Sequence, residues 1–82
     1  MTSDTTNGAE PTVLGQNLRA ARIAREMTQR DLAVHLGVYE LAVSRWERGI
    51  SVPNPDNLAG AADALGVTIA WLYTDGPEPI SA

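Results

Sequence analysis

Between Met27 and Thr68 the chain is cut at short intervals by residues that start or stop helices. Thr28 reads as an N-cap, with Asp31 three residues on as in a capping box. Met27 and Leu32 stand at the N′ and N4 positions of a hydrophobic staple. Gly37, Gly49 and Gly66 are stops, since a left-handed residue after a helix costs glycine least. Asn54 before Pro55 is a start, and Thr68 is another. Segments this short are not stable helices on their own. Each must bury an apolar face against the others, and no alternating pattern offers a strand. The chain is therefore expected to be all-α, built from five short helices joined by tight turns.

The first helix is expected from about Val13 through Arg25, with Val13, Leu14, Leu18, Ala21 and Arg22 near one face. The second runs from Gln29 to Leu36, with Leu32, Ala33 and Leu36 inward. Leu41, Ala42, Val43, Trp46 and Ile50 are the apolar members of the third, and Ile50 to Pro53 reads as a loop. Leu58, Ala61, Ala62 and Leu65 line the fourth; Ile69, Trp71, Leu72 and Tyr73 belong to a short fifth. Residues 1–11 read as a disordered tail, 12–76 as one domain, and 77–82 as a flexible tail containing Pro77 and Pro79. A chain of 82 residues holds one domain at most.

Composition removes several function classes. There is no cysteine and a single histidine, His35, so neither a disulfide nor a Cys/His zinc site is expected. No cofactor or catalytic metal is expected, because no Cys–His pair and no Gly-rich phosphate loop is present. Ser44 and His35 have no acid arranged with them as a triad, so the chain does not read as an enzyme. Met1 to Glu10 has neither the basic nor the apolar region of a secretory signal, and no apolar run approaches a membrane span. The expected location is the cytoplasm, with no membrane partner.

The net charge is −4, which by itself argues against a nucleic-acid partner. Its distribution argues otherwise. Every cation is an arginine, and all six (Arg19, Arg22, Arg25, Arg30, Arg45, Arg48) fall between positions 19 and 48. Four acids share that window, leaving it +2, while the other six acids lie outside. The middle of the chain is the candidate face for an anionic partner.

The junction of the second and third helices is the most specific feature. Only Val38 and Tyr39 separate Gly37 from the third helical pattern, so the two helices must cross steeply. Ala33 is small where backbones approach, Gly37 takes the turn, and Val43 and Trp46 plug the interface. The spacing Ala33, Gly37, Val43 is the sequence form of a helix–turn–helix. The chain here resembles the helix–turn–helix domain of lambdoid phage repressors and Cro proteins, the XRE type. The motifs are Leu18–Arg19–Ala20–Ala21–Arg22, Met27–Thr28–Gln29–Arg30–Asp31–Leu32–Ala33, Leu36–Gly37–Val38, Val43–Ser44–Arg45–Trp46–Glu47–Arg48–Gly49 and Leu65–Gly66–Val67–Thr68–Ile69–Ala70–Trp71–Leu72. The resemblance spans about Leu14 to Gly76.

That resemblance implies a compact five-helix fold and an ion pair between Arg22 and Glu47, each otherwise a charge on an apolar stripe. It implies that the third helix, about residues 40–48, enters the major groove of DNA. Glu40, Leu41, Ser44 and Arg45 are then the expected base contacts. Arg45 suits a guanine edge, Leu41 a thymine methyl and Glu40 a cytosine amino group. Asn17, Arg19, Gln29, Tyr39 and Arg48 are the expected backbone contacts, which position the protein without reading sequence. Tyr39 stands where the family commonly has Ser or Thr as a cap. Arg25 and Arg30 are candidates for phosphate or for solvent, and His35 is expected in solvent.

The implied function is sequence-specific binding of double-stranded DNA by a transcriptional regulator, as a homodimer on an inverted repeat. Ile69 and Tyr73 are the expected dimer contacts, with Trp71 and Leu72 in the core. A Cro-type phage regulator, a restriction–modification controller and a small antitoxin all fit. The alternative class is a protein-interaction module, or an antitoxin-type subunit, that uses the fold to bind a protein such as a toxin.

Overall fold

The computed structural model describes residues 12–75. The expected tails at 1–11 and 77–82, and Gly76, lie outside the described residues. Five helices follow one another: α1 (Val13–Ala24), α2 (Gln29–Leu36), α3 (Glu40–Arg48), α4 (Pro55–Leu65) and α5 (Ile69–Leu72). No strand occurs among the described residues.

Local chemistry accounts for most of the boundaries. At the start of α2 the Thr28 hydroxyl accepts from the Asp31 N–H at 2.9 Å. The Asp31 carboxylate accepts from the Thr28 N–H, also at 2.9 Å. Two backbone donors are thus satisfied by one exchange. Thr12, Asn54 and Thr68 cap α1, α4 and α5 through single side-chain bonds. Gly37 ends α2 at φ 73°, and this left-handed turn lets Val38 N–H reach back to Ala33 O at 3.0 Å. The α1–α2 junction makes the same kind of turn with a non-glycine residue, Glu26, at φ 59°.

The third helix ends at Arg48, as the stop at Gly49 indicates. Gly49 reverses the chain at φ 79°, so Ile50 leaves the helix and is half exposed. Inside the bundle, Leu18, Leu32, Val43, Leu65 and Leu72 are the largest fully buried side chains. Each comes from a different helix. Burial of such a side chain contributes roughly 1.5–3 kcal/mol, so each helix is held by the neighbours it packs against, α5 by α1 and α4 for example. Trp46 closes the core at 5% exposure, and Trp71 packs partly buried at its edge. Val13, placed on the inner face by its spacing, lies at the rim at 37% exposure.

The helices α1 and α3 meet unusually closely. A Cβ on Gly15 would lie 2.5 Å from Trp46 O and 2.7 Å from Glu47 O. Only a residue without a side chain permits that approach.

Candidate nucleic-acid interface

The helix α3 is clamped on one side and open on the other. Its inner face carries Val43, Trp46 and Glu47, all buried. Glu47 is a carboxylate in the interior, and three donors satisfy it. Arg22 Nε donates to Oε2 at 2.6 Å, Arg22 Nη2 to Oε1 at 3.0 Å, and Gln29 Nε2 to Oε1 at 3.0 Å. The third guanidinium nitrogen, Arg22 Nη1, donates to Met27 O at 2.7 Å. A guanidinium matches a carboxylate in this two-pronged geometry. One network therefore ties α1, the α1–α2 turn and the start of α2 to the last turn of α3.

The outer face of α3 is free of the core. Glu40, Leu41, Arg45 and Arg48 are exposed and Ser44 is half-buried. Positions 40, 41, 44, 45 and 48 share one side of a 3.6-residue helix. Tyr39, at the N-cap, is 86% exposed and makes no side-chain cap bond. Tyr39, Glu40, Leu41, Ala42 and Arg45 together line one open hollow at the start of the helix. Arg19 is exposed on α1, and Arg30 on α2.

One of the expected backbone contacts, Asn17, needs revision. Asn17 is buried at 5% exposure, and its amide donates to Trp71 O, Leu72 O and Thr74 O at 3.3, 2.8 and 2.9 Å. It fastens the end of α5 to α1 and presents nothing outward. The signal was available: Asn17 stands in the register Leu14, Asn17, Leu18, Ala21 that forms the buried stripe. Gln29 is half-buried and held by Glu47, though an amide nitrogen carries two hydrogens and one bond leaves a second to donate. Arg25, expected at phosphate or in solvent, is exposed, and its Nε also donates to Leu65 O at 3.0 Å at the end of α4. His35 is exposed.

The acid at the start of α2 is electrostatically settled. The Thr28 backbone N–H, then its hydroxyl, hold the Asp31 carboxyl below its ordinary value of 3.8. Ile69 on α5 is 40% exposed and Leu72 fully buried; Tyr73, expected within the fifth helix, instead stands just past its end as the C-cap and is 54% exposed. Among the described residues no group of three or more His, Cys, Asp or Glu side chains could hold a metal ion. No described helix is long and apolar enough to cross a membrane.

Comparison with known proteins agrees with this architecture. A family profile described as helix-turn-helix matches residues 18–72. The 26 kDa repressor protein of Escherichia phage HK022 is 44% identical over 45 residues, covering 55% of this chain and 19% of that protein. The transcriptional regulator DicA of Escherichia coli K12 is 36% identical over 59 residues, covering 72% of this chain and 44% of DicA. The chain thus spans less than half the length of these curated relatives. The P22 c2 repressor, solved with a synthetic operator, superposes with a TM-score of 0.70 at 34% identity, covering 72% of this chain and 89% of that one. Five helices in this order, with the α2–α3 junction and the matched profile, place the chain: it belongs to the helix-turn-helix family of the lambdoid repressor and Cro type.

Proposed function

We propose that the protein is a transcriptional regulator that binds double-stranded DNA sequence-specifically, with α3 in the major groove. One observation carries this reading. The inner face of α3 is locked by Val43, Trp46 and the Arg22–Glu47 pair, while its outer row is left without a task inside the molecule. The relative solved on a synthetic operator shares the fold. In this reading Arg45 pairs with guanine acceptors, Ser44 bonds a base or phosphate, and Glu40 and Leu41 read a pyrimidine edge. Arg19, Arg48, Tyr39 and the remaining N–H of Gln29 position the helix on phosphates.

A single half-site supplies few contacts, so the protein binds as a homodimer on an inverted repeat, joined through Ile69 on α5 and Tyr73 at its C-terminal end. It works in the cytoplasm of a prokaryotic cell or of a phage-infected host. The net charge of −4 keeps non-specific affinity low, because phosphate neutralisation drives such binding. The test is selection from a random duplex library at ~150 mM salt, where non-specific binding is weak. An enriched inverted repeat is expected. No enrichment by folded protein refutes the proposal.

A further inference from the structure

Tyr39 is not explained by folding. Thr12, Thr28, Asn54 and Thr68 each cap their helix with a side-chain bond, whereas Tyr39 makes none. Its ring is 86% exposed, so it does not pack in the core either. Two positions on, Leu41 leaves half of its surface in solvent. These side chains and Ala42 give the hollow apolar walls, and Glu40 and Arg45 stand on the same hollow with opposite charges.

The chemistry of the base edges narrows what fits there. A carboxylate only accepts hydrogen bonds, so Glu40 asks for a donor. In the major groove cytosine offers its N4 amino group, and thymine offers a C5 methyl beside an O4 acceptor. Thymine would fill the apolar walls but set O4 against the carboxylate. Unmodified cytosine would satisfy the carboxylate but leave the walls empty. A cytosine carrying a C5 methyl offers the donor and the apolar group on one edge. Arg45, one helical turn beyond Leu41, is placed to take the O6 and N7 acceptors of a guanine in a neighbouring pair.

We propose that the hollow formed by Tyr39, Glu40, Leu41, Ala42 and Arg45 reads 5-methylcytosine next to guanine, making the protein sensitive to DNA methylation. The inference rests on α3 being the DNA-reading helix. Glu40 holds the exocyclic amino group, and Leu41 and the Tyr39 ring cover the methyl, while the Tyr39 hydroxyl is left for a phosphate.

The experiment runs the duplex selection twice, once with ordinary DNA and once with every cytosine replaced by 5-methylcytosine. Kd is then measured on the enriched operator with cytosine, 5-methylcytosine or thymine at each pyrimidine of the half-site. At one position 5-methylcytosine should bind about fourfold tighter than cytosine, the equivalent of one buried methylene, and tighter than thymine. In Leu41→Ala, checked for helix content by circular dichroism, that ratio should fall to about one. In Glu40→Gln, whose amide can donate to O4, the preference over thymine should vanish. Equal affinity for cytosine and 5-methylcytosine at every position, or tightest binding to thymine, overturns the inference while leaving operator binding intact. Failure to bind duplex from either selection overturns the proposed function as well, so the two failures are distinguishable.

Discussion

Replacing Arg22 by alanine takes the guanidinium from a carboxylate that has almost no access to water. The Arg22 side chain is 10% exposed and that of Glu47 2%. After the change Glu47 keeps one donor, Gln29 Nε2 at 3.0 Å, and Met27 O loses Arg22 Nη1. Removing one partner of a buried pair costs about 3–5 kcal/mol, mostly because the other charge is left buried and unmatched. Small domains have a total stability of only about 5–15 kcal/mol. At roughly 4 °C or more per kcal/mol for a domain of this size, the melting temperature should fall by at least about 12 °C. Urea unfolding followed by circular dichroism and by tryptophan emission, with Trp46 in the core, measures the change directly. The double variant Arg22→Met with Glu47→Leu is the control. It removes both charges, so it should lie within about 2 kcal/mol of the parent protein. A loss below about 1 kcal/mol in Arg22→Ala, the range of exposed ion pairs, would refute the reasoning. So would a double variant less stable than the single one.

Other consequences follow from single contacts. Gly15→Ala gains helix propensity of about 1 kcal/mol, yet drives a methyl into two carbonyl oxygens of α3; overpacking should win, with a net loss of about 1–2 kcal/mol. A melting temperature at or above that of the parent would contradict the close approach. Glu26→Gly relieves a left-handed non-glycine residue and should raise the urea midpoint by the equivalent of about 0.5–1 kcal/mol; a lower midpoint counts against it. Asp31 has a folded pKa below its unfolded one, so its stabilisation is present above the ordinary carboxylate range and is lost as pH falls through the folded value. The stability difference between the parent and Asp31→Asn should therefore be full near neutrality and shrink below about pH 4; a pH-independent difference contradicts this. Operator binding by the dimer should fall with salt at a log–log slope of about −4 to −6. Arg48→Ala should flatten that slope by about 2, one phosphate contact per subunit, and an unchanged slope removes Arg48 from the contact set.

The parts of the molecule that were legible in the sequence are those whose causes are local. Thr28, Asp31 and Gly37 act within one or two turns, and α2 spans Gln29–Leu36 as their spacing indicates. The same holds for Asn54 and Pro55 at the start of α4 and for Thr68 at the start of α5. The outer row of α3 was legible too, because an eight- or nine-residue helix with known inner residues leaves only one other face. The Arg22–Glu47 pair, 25 residues apart, was reached through family resemblance rather than from spacing alone.

What only the tertiary structure decided are contacts between residues far apart in the chain. Asn17 is polar and near the start of a helix, which suits a phosphate contact; its partners at Trp71, Leu72 and Thr74 lie 54 to 57 residues away. Arg25 looked free until Leu65 O, 40 residues on, came to rest beside it. Gly15 has no side chain to announce that α3 passes over it. A buried polar group must find a hydrogen-bond partner, but which partner depends on how the helices cross. Caps and turns draw their energy from neighbouring residues and are written in the sequence; the crossing of α1 with α3 and α5 draws it from the whole packed core.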